Sequence, residues 1–143
     1  MTQYIPSPST WVAEQVELYE KSNGGKGNTI AGFPVVIVTN TGRRTGAVRK
    51  TPLIRVKDGN NYILIASQGG SPNNPHWYYN LKASSAVKIQ DCSLVYEMKV
   101  TEIFNSEQRN RLWKIAVKTY HPYEDYQNKT TRLIPIFLAK PIK

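Results

Sequence analysis

Arg43 and Arg44 stand side by side in Thr41-Gly-Arg-Arg-Thr-Gly46, a turn bounded by glycines. Two guanidinium groups beside Thr45 and free backbone N–H groups can grip a phosphate through bidentate hydrogen bonds. A solvated arginine turn would use the same residues. A second stretch, Ser67-Gln-Gly-Gly-Ser-Pro-Asn-Asn-Pro-His-Trp-Tyr-Tyr-Asn-Leu-Lys82, follows the apolar run Tyr62-Ile-Leu-Ile-Ala66. Gly69 and Gly70 let the backbone turn sharply or approach a ligand. Asn74 and Pro75 predict a helix start, with an amide cap and proline at the first helical position. The unpaired N–H groups of such a start form an anion site. Trp77, beside His76 and Tyr78, can stack on a planar ring, although a tryptophan on a short helix is more often core. The third stretch, Tyr120-His-Pro-Tyr-Glu-Asp-Tyr-Gln-Asn128, reads as a tyrosine-rich loop. Tyr120, Tyr123 and Tyr126 are spaced by three, so a helical turn there would put them on one face. Phenols facing a cleft can position or protonate a substrate; on the surface they do neither.

Other chemistry finds little support. His76 and His121 are the only histidines and Cys92 the only thiol, a poor set for a metal. His121 has Glu124 and Asp125 nearby, but no nucleophile elbow accompanies them. The glycine pair lacks the spacing of a dinucleotide fingerprint. The net charge is +9, and no acidic residue lies between Glu20 and Asp58, where Lys21, Lys26, Arg43, Arg44, Arg49, Lys50, Arg55 and Lys57 fall. One-signed charge of this kind attracts an anionic partner, whether nucleic acid, an anionic membrane or a polyanionic cofactor. A lone cysteine forms no internal disulfide, which fits a reducing, cytoplasmic compartment. No apolar run approaches about 18 residues, and Met1–Pro8 lacks the pattern of a signal peptide.

These residues need a scaffold. At 143 residues, 40% hydrophobic and 20% charged, the chain suits one globular core. Val12, Val16 and Tyr19 predict an amphipathic helix over 11–20, capped by Ser9 or Thr10 and widened by Trp11 and Leu18. Such a helix packs on its own domain or touches a membrane or partner. Residues 22–28 read as a flexible linker, so the chain divides into an N-terminal helix and linker, 1–28, and a domain over 29–143. The run 35–39 predicts a strand buried on both sides. Strand 48–56 has Val48, Pro52, Ile54 and Val56 on one face; Pro52 places it at an edge or a bulge. Asp58-Gly-Asn-Asn61 predicts a hairpin into strand 62–67. If 41–46 is also a hairpin, loops 41–46 and 67–75 fall at one end of the sheet. A helix over 76–83, strands 86–90 and 94–103, a helix from an Asn105 cap to Thr119, and a strand over 133–138 complete the chain. Gln108 is placed for a capping box. Without βαβ repeats, six antiparallel strands with peripheral helices predict a small barrel.

Thr41-Gly-Arg-Arg-Thr-Gly, Arg49-Lys-Thr-Pro-Leu53, Ala66-Ser-Gln-Gly-Gly and Asn74-Pro-His-Trp-Tyr-Tyr-Asn-Leu-Lys82, with Tyr120-His-Pro-Tyr-Glu-Asp-Tyr126 and Arg132-x-Ile-Pro-Ile136, resemble the deazaflavin-dependent nitroreductase family, which includes quinone reductases. The resemblance runs in order over residues 33–138. It implies a split β-barrel, like that of FMN-binding split-barrel proteins, with coenzyme F420, an 8-hydroxy-5-deazaflavin, as cofactor. By the same resemblance Arg43, Arg44, Thr45 and Arg49, with Lys50 nearby, would hold the cofactor phosphate and oligoglutamate tail. Pro52, Leu53 and the loop Ala66, Ser67, Gln68, Gly69 and Gly70 would line the deazaflavin ring, with His76, Trp77 and Asn80 completing that wall. Tyr120, Tyr123, Tyr126 and Ser67 would face the substrate, Tyr123 being the first choice as proton donor. Gln68 stands where the family commonly has lysine, His76 replaces an apolar residue, and Ile54 stands where some members have tyrosine. The expected reaction is hydride transfer from reduced F420 to a quinone, nitroaromatic or activated enone. The expected partner is a small-molecule acceptor, with a homodimer and peripheral membrane contact through the N-terminal helix also allowed. An FMN-binding split barrel and a basic nucleic-acid-binding barrel are the alternatives, although no nucleic acid is expected.

Overall fold

The computed structural model describes residues 3–142. The chain runs α1 (Thr10–Lys21), β1 (Thr29–Ile30), β2 (Phe33–Thr41), β3 (Val48–Ile54), β4 (Lys57–Asp58), β5 (Asn61–Ile65), α2 (His76–Ala83), β6 (Ala86–Asp91), β7 (Leu94–Glu102), α3 (Ser106–Thr119), α4 (Pro122–Lys129) and β8 (Ile136–Pro141). The sheet order is β3-β2-β6-β7-β8-β5-β4, with β1 paired to β2, and every pairing between named strands is antiparallel. The two ends of that order, β3 and β4, are consecutive in the chain. One strand therefore changes partner at Arg55 and Val56. The Arg55 N–H donates to the Pro34 carbonyl at 2.9 Å, while the Val56 carbonyl accepts from the Ile63 N–H at 2.9 Å. The bend lets the chain itself close the curled sheet into a split β-barrel. With β3 and β4 counted as one strand and β1 as a stub, the six predicted strands are all present.

Alternation of side chains along each strand builds two cores. Val35, Ile37, Ile63, Ile65, Ile136 and Leu138 pack with α1, α3 and α4. Val36, Val38, Tyr62, Leu64, Phe137 and Ala139 pack with Trp77 and Leu81 of α2. Val35–Val38 are all buried, which is why this run shows no alternation in sequence. Each such side chain contributes about 1.5–3 kcal/mol by leaving water. Asp91 ties the bend to β6, accepting from Arg55 Nε at 2.8 Å and from the Tyr62 hydroxyl at 2.5 Å.

Several local expectations are corrected. The 22–28 segment is held, not free: Gly24 N–H donates to the Tyr19 carbonyl and Asn28 Nδ2 to the Gly24 carbonyl. A Cβ at Gly24 would lie 2.4 Å from Cys92 Cα, so only glycine seats this turn on the β6–β7 hairpin. Val16 and Tyr19 of α1 enter the barrel core. Ser9 occupies the cap position of α1 without a side-chain hydrogen bond. Asn105 does cap α3, accepting from Gln108 N–H at 2.9 Å. The tyrosine-rich loop is a helix, α4, with Pro122 at its start. The last strand runs from Ile136, not Leu133, because Pro135 precedes it and pairing with β7 continues to Pro141.

Candidate active site

The 41–46 turn is built for rigidity. Gly42 N–H donates to the Ala47 carbonyl at 2.7 Å, Gly46 N–H to the Gly42 carbonyl at 2.9 Å, and Ala47 N–H to Thr45 Oγ1 at 3.1 Å. The turn meets α2 rather than hanging in solvent. Trp77, Asn80 and Leu81 fall at i, i+3 and i+4 and face the sheet. Asn80 Oδ1 accepts from both the Arg43 N–H, at 3.1 Å, and Arg43 Nη1, at 3.2 Å. The Arg43 guanidinium also lies 5.1 Å from the Tyr79 ring centroid. Asn80 Nδ2 in turn donates to Asn40 Oδ1 at 3.0 Å.

A cavity of about 350 Å³ opens between this turn and α2, lined by Arg43, Arg44, Thr45, Arg49, Lys50, Thr51, His76, Trp77, Asn80 and Asn40. Ile5, Ser7 and Pro8 close one side. This N-terminal strap is pinned by Arg49, whose Nη1 donates to the Ile5 and Pro6 carbonyls at 3.1 and 3.2 Å. Lys50 pairs with Glu20 at 2.5 Å, so part of the charge excess read along the chain is neutralised across space. Arg44 is exposed and has no hydrogen bond or ion pair among the described residues. Hollows along α1 and beside β2 and β6 are larger, at about 400 and 480 Å³. Glu14, Glu17 and Glu20 line the first, and the second mixes Glu20 and Glu97 with Lys50 and Lys88. The cavity at the turn alone among the three has cations and no carboxylate in its lining.

Pro52 and Leu53 continue β3 beyond that lining, Pro52 buried opposite Ile37 and Leu53 against the α2 core. The glycine loop is organised by a residue distant from it in sequence. Arg132 donates to the carbonyls of Ala66, Ser67 and Ser71 at 3.1, 2.7 and 2.9 Å, and to Asn74 Oδ1 at 2.7 Å. Asn74 is thereby diverted from capping. Pro75 takes the cap position and α2 begins at His76. Burial lowers the Arg132 pKa from its ordinary value. Ala66 and Ser67 are buried, Gln68 is exposed, and Gln68, Gly69 and Gly70 all have positive φ. A Cβ at Gly70 would sit 2.7 Å from the Tyr126 carbonyl oxygen, so α4 can approach the loop only at a glycine.

The tyrosines gather as a second group. The Tyr120 ring meets Tyr123 edge-on at 4.9 Å and Tyr126 at 6.1 Å. The Tyr120 and Tyr126 hydroxyls lie 3.0 Å apart. Burial, then the Tyr126 hydroxyl, pushes the Tyr120 pKa up to about 12. Tyr123 is 5% exposed, its pKa is raised by burial, and its hydroxyl makes no hydrogen bond among the described residues. Tyr120 and Tyr123 belong to the core on the α3–α4 side, whereas Trp77 belongs to the other. The structure thus brings eight of the expected residues (Arg43, Arg44, Thr45, Arg49, Lys50, His76, Trp77 and Asn80) around one cavity. It sets Ser67, Gly70 and the tyrosines around a different junction, that of the glycine loop with α4.

Fold and cavity together define a split barrel whose cavity has the chemistry to suit an anionic, oxygen-rich ligand: cations line its rim and an unpaired amide donor, Asn40 Nδ2, belongs to a lining residue. Residues 11–141 match the model of the family described as F420H(2)-dependent quinone reductase. A Mycobacterium tuberculosis protein named an F420H(2)-dependent quinone reductase is 34% identical over 122 residues, which cover 83% of this chain and 82% of that one. Among solved structures, one named an F420-H2 dependent reductase is 42% identical with a TM-score of 0.70, covering 75% of this chain and 94% of its own. Another, titled a domain-swapped dimer, is 40% identical with a TM-score of 0.73, covering 94% and 100%. The chain belongs to the F420H(2)-dependent quinone reductase family. It is an oxidoreductase with F420 as cofactor, and neither the FMN nor the nucleic-acid alternative is favoured.

Proposed function

We propose that the cavity at the 41–46 turn holds F420 and that the junction of the glycine loop with α4 receives the quinone. The observation that carries this reading is Arg44, an exposed cation at the cavity rim with no partner of its own among the described residues. Arg43, locked on Asn80, presents its peptide backbone and guanidinium beside it. These two and Thr45 take the phosphate and anionic tail. Arg49 and Lys50 contribute less, since strap carbonyls and Glu20 already engage them. His76, Trp77 and Asn80 form the wall at the ring, with Pro52, Leu53 and Ala66–Gly70 as its continuation. When bound, the reduced cofactor supplies a hydride to the acceptor. The chain's part is to orient the two ligands, exclude water and provide a proton. We assign the proton to Tyr126, the half-buried member of the hydroxyl pair, with Tyr120 as its hydrogen-bond partner, Tyr123 packed behind and Ser67 flanking.

Two further readings have narrower support. Association of two copies rests on the neighbour titled a domain-swapped dimer, and sedimentation reads it. Peripheral membrane contact rests on Trp11 and Leu18, exposed on α1, and vesicle co-sedimentation reads it. No helix among the described residues is long and apolar enough to cross a membrane.

Titration with F420 and with FMN tests the cofactor site. F420 should bind more tightly, and its affinity should fall with salt because the contact is ionic. Arg44→Ala should weaken it by roughly 1.5–3 kcal/mol, the worth of a charge-assisted hydrogen bond, with the rim position favouring the lower figure. Equal affinity for the two cofactors, untouched by the substitution, would overturn the assignment.

A further inference from the structure

The amide chain at the base of the cavity leaves one donor over, and its direction is fixed. A peptide N–H can only donate, so the Arg43 backbone dictates that Asn80 presents its oxygen to Arg43. The Arg43 guanidinium, also donor-only, reinforces the choice. Asn80 must then present its NH₂ to Asn40, and Asn40 must answer with its oxygen. The Asn40 NH₂ is what remains. It is buried, on a side chain 3% exposed in the cavity lining, and has no hydrogen-bond partner. Buried polar groups in native proteins are almost always paired, and the exceptions call for a missing partner. Asn40 ends the buried part of β2, one residue before the 41–46 turn, and lines the same cavity as Arg43 and Arg44.

We infer that Asn40 is a cofactor-binding residue whose Nδ2 donates a hydrogen bond to a phosphate oxygen of F420, completing a relay Arg43–Asn80–Asn40 that reports the turn's position to the ligand. This rests on the F420 reading above. The relay makes the site selective for an acceptor. A ligand carrying a donor or an apolar group at that point leaves Nδ2 unpaired, and flipping the Asn40 amide would set two NH₂ groups against each other. Asn80 is then held from both sides, by the turn and by the strand, so α2 carries Trp77 to the cavity at a fixed height.

The test is a binding titration of the full chain with oxidised F420, followed by cofactor fluorescence. It is repeated with the riboflavin-level deazaflavin that has the ring and ribityl chain but no phosphate or tail. Asn40→Ala removes the donor; Asn40→Asp keeps the shape and the acceptor for Asn80 but replaces the donor by an oxygen. Asn40→Ala should weaken F420 about tenfold, as for the loss of one hydrogen bond to a charged group, and Asn40→Asp should weaken it further by facing the phosphate with a like charge. Asn40→Asp, which keeps the acceptor for Asn80, should bind the tailless deazaflavin as the unsubstituted protein does. Thermal unfolding of each variant shows that the fold is kept. Unchanged F420 affinity in Asn40→Asp overturns the inference, as does an equal penalty on the tailless compound, which would move the contact to the ring or ribityl chain. Failure of the unsubstituted protein to bind F420 at all would instead defeat the cofactor reading.

Discussion

The Tyr120 and Tyr126 hydroxyls, 3.0 Å apart, illustrate what a pair of phenols can do that a single one cannot. Whichever donates within the pair, the other keeps a hydrogen free to point outward. Tyr126 is half-buried while Tyr120 is in the core, so the outward hydrogen belongs on Tyr126. Tyr126→Phe should therefore lower quinone turnover at least several-fold, toward the roughly 10²-fold typical of a lost general acid. The F420 dissociation constant should stay within about twofold, because Tyr126 is not among the residues lining the cavity assigned to F420. Tyr123→Phe leaves the pair intact and should change turnover little. Steady-state oxidation of reduced F420 beside a cofactor titration decides; a loss in Tyr123→Phe with full activity in Tyr126→Phe would reverse the assignment. At this scale the sequence was legible where neighbours in the chain are neighbours in space. Arg43, Arg44 and Thr45 form a recognisable turn, and the tyrosine spacing of three foretold one face. Asn40 and Arg132 were not legible as site residues. Their importance lies in contacts with Asn80 and with Ala66, Ser67, Ser71 and Asn74, and nothing in local spacing announces these.

Among the elements, the loop from Ala66 to Asn74 owes its shape to Arg132, which spans several acceptors at once. Only a planar fork of donors reaches so many carbonyls; an ammonium of equal charge is a point. Arg132→Lys should cost about 1–3 kcal/mol in stability, as buried acceptors lose their donors. It should also raise the quinone KM, since the loop carries Ser67 and touches α4 through Gly70, while F420 affinity changes less. Thermal unfolding and acceptor kinetics measure the two effects, and a variant matching the unsubstituted protein in both would show that the loop holds itself. The same contact explains a misplaced helix cap. Asn74-Pro75 is a sound local signal for a capped start, but Arg132 claims the Asn74 side chain. Helix α4 does not show in the sequence because Pro122 and its polar residues mask a short amphipathic turn, whose burial shows only once Tyr123 is packed on Trp113. By contrast α1, α2, α3 and the long strands follow their periodicity, since each has one face committed to a core.

The whole molecule is rich in phenols kept from ionising. Burial raises the pKa of Tyr62, Tyr120 and Tyr123 above the ordinary value of 10.0, and Asp91 adds to the effect at Tyr62. A folded pKa above the unfolded one favours the protonated fold, so this stability is complete below pH 10 and lost as pH rises through the folded values. Unfolding temperatures should hold level from pH 8 to near 10 and then drop, with each buried phenol costing up to about 1.4 kcal/mol per pH unit. Tyr123→Phe should soften that slope; an unchanged slope would show that the phenol titrates freely in the fold.

The shared strand β3–β4 carries a consequence for how copies of the chain meet. A sheet closed by a bend of its own chain keeps one border unpaired along β3, and an unpaired border is a template on which another chain can polymerise. Here that border is defended. Pro52 has no N–H to offer, Arg49 sets positive charge beside it, and the strap occupies its start through the Tyr4–Val48 bridge. Residues that frame the cavity at the 41–46 turn, Arg49 and the strap, are thus also those that cover an edge open to strand addition.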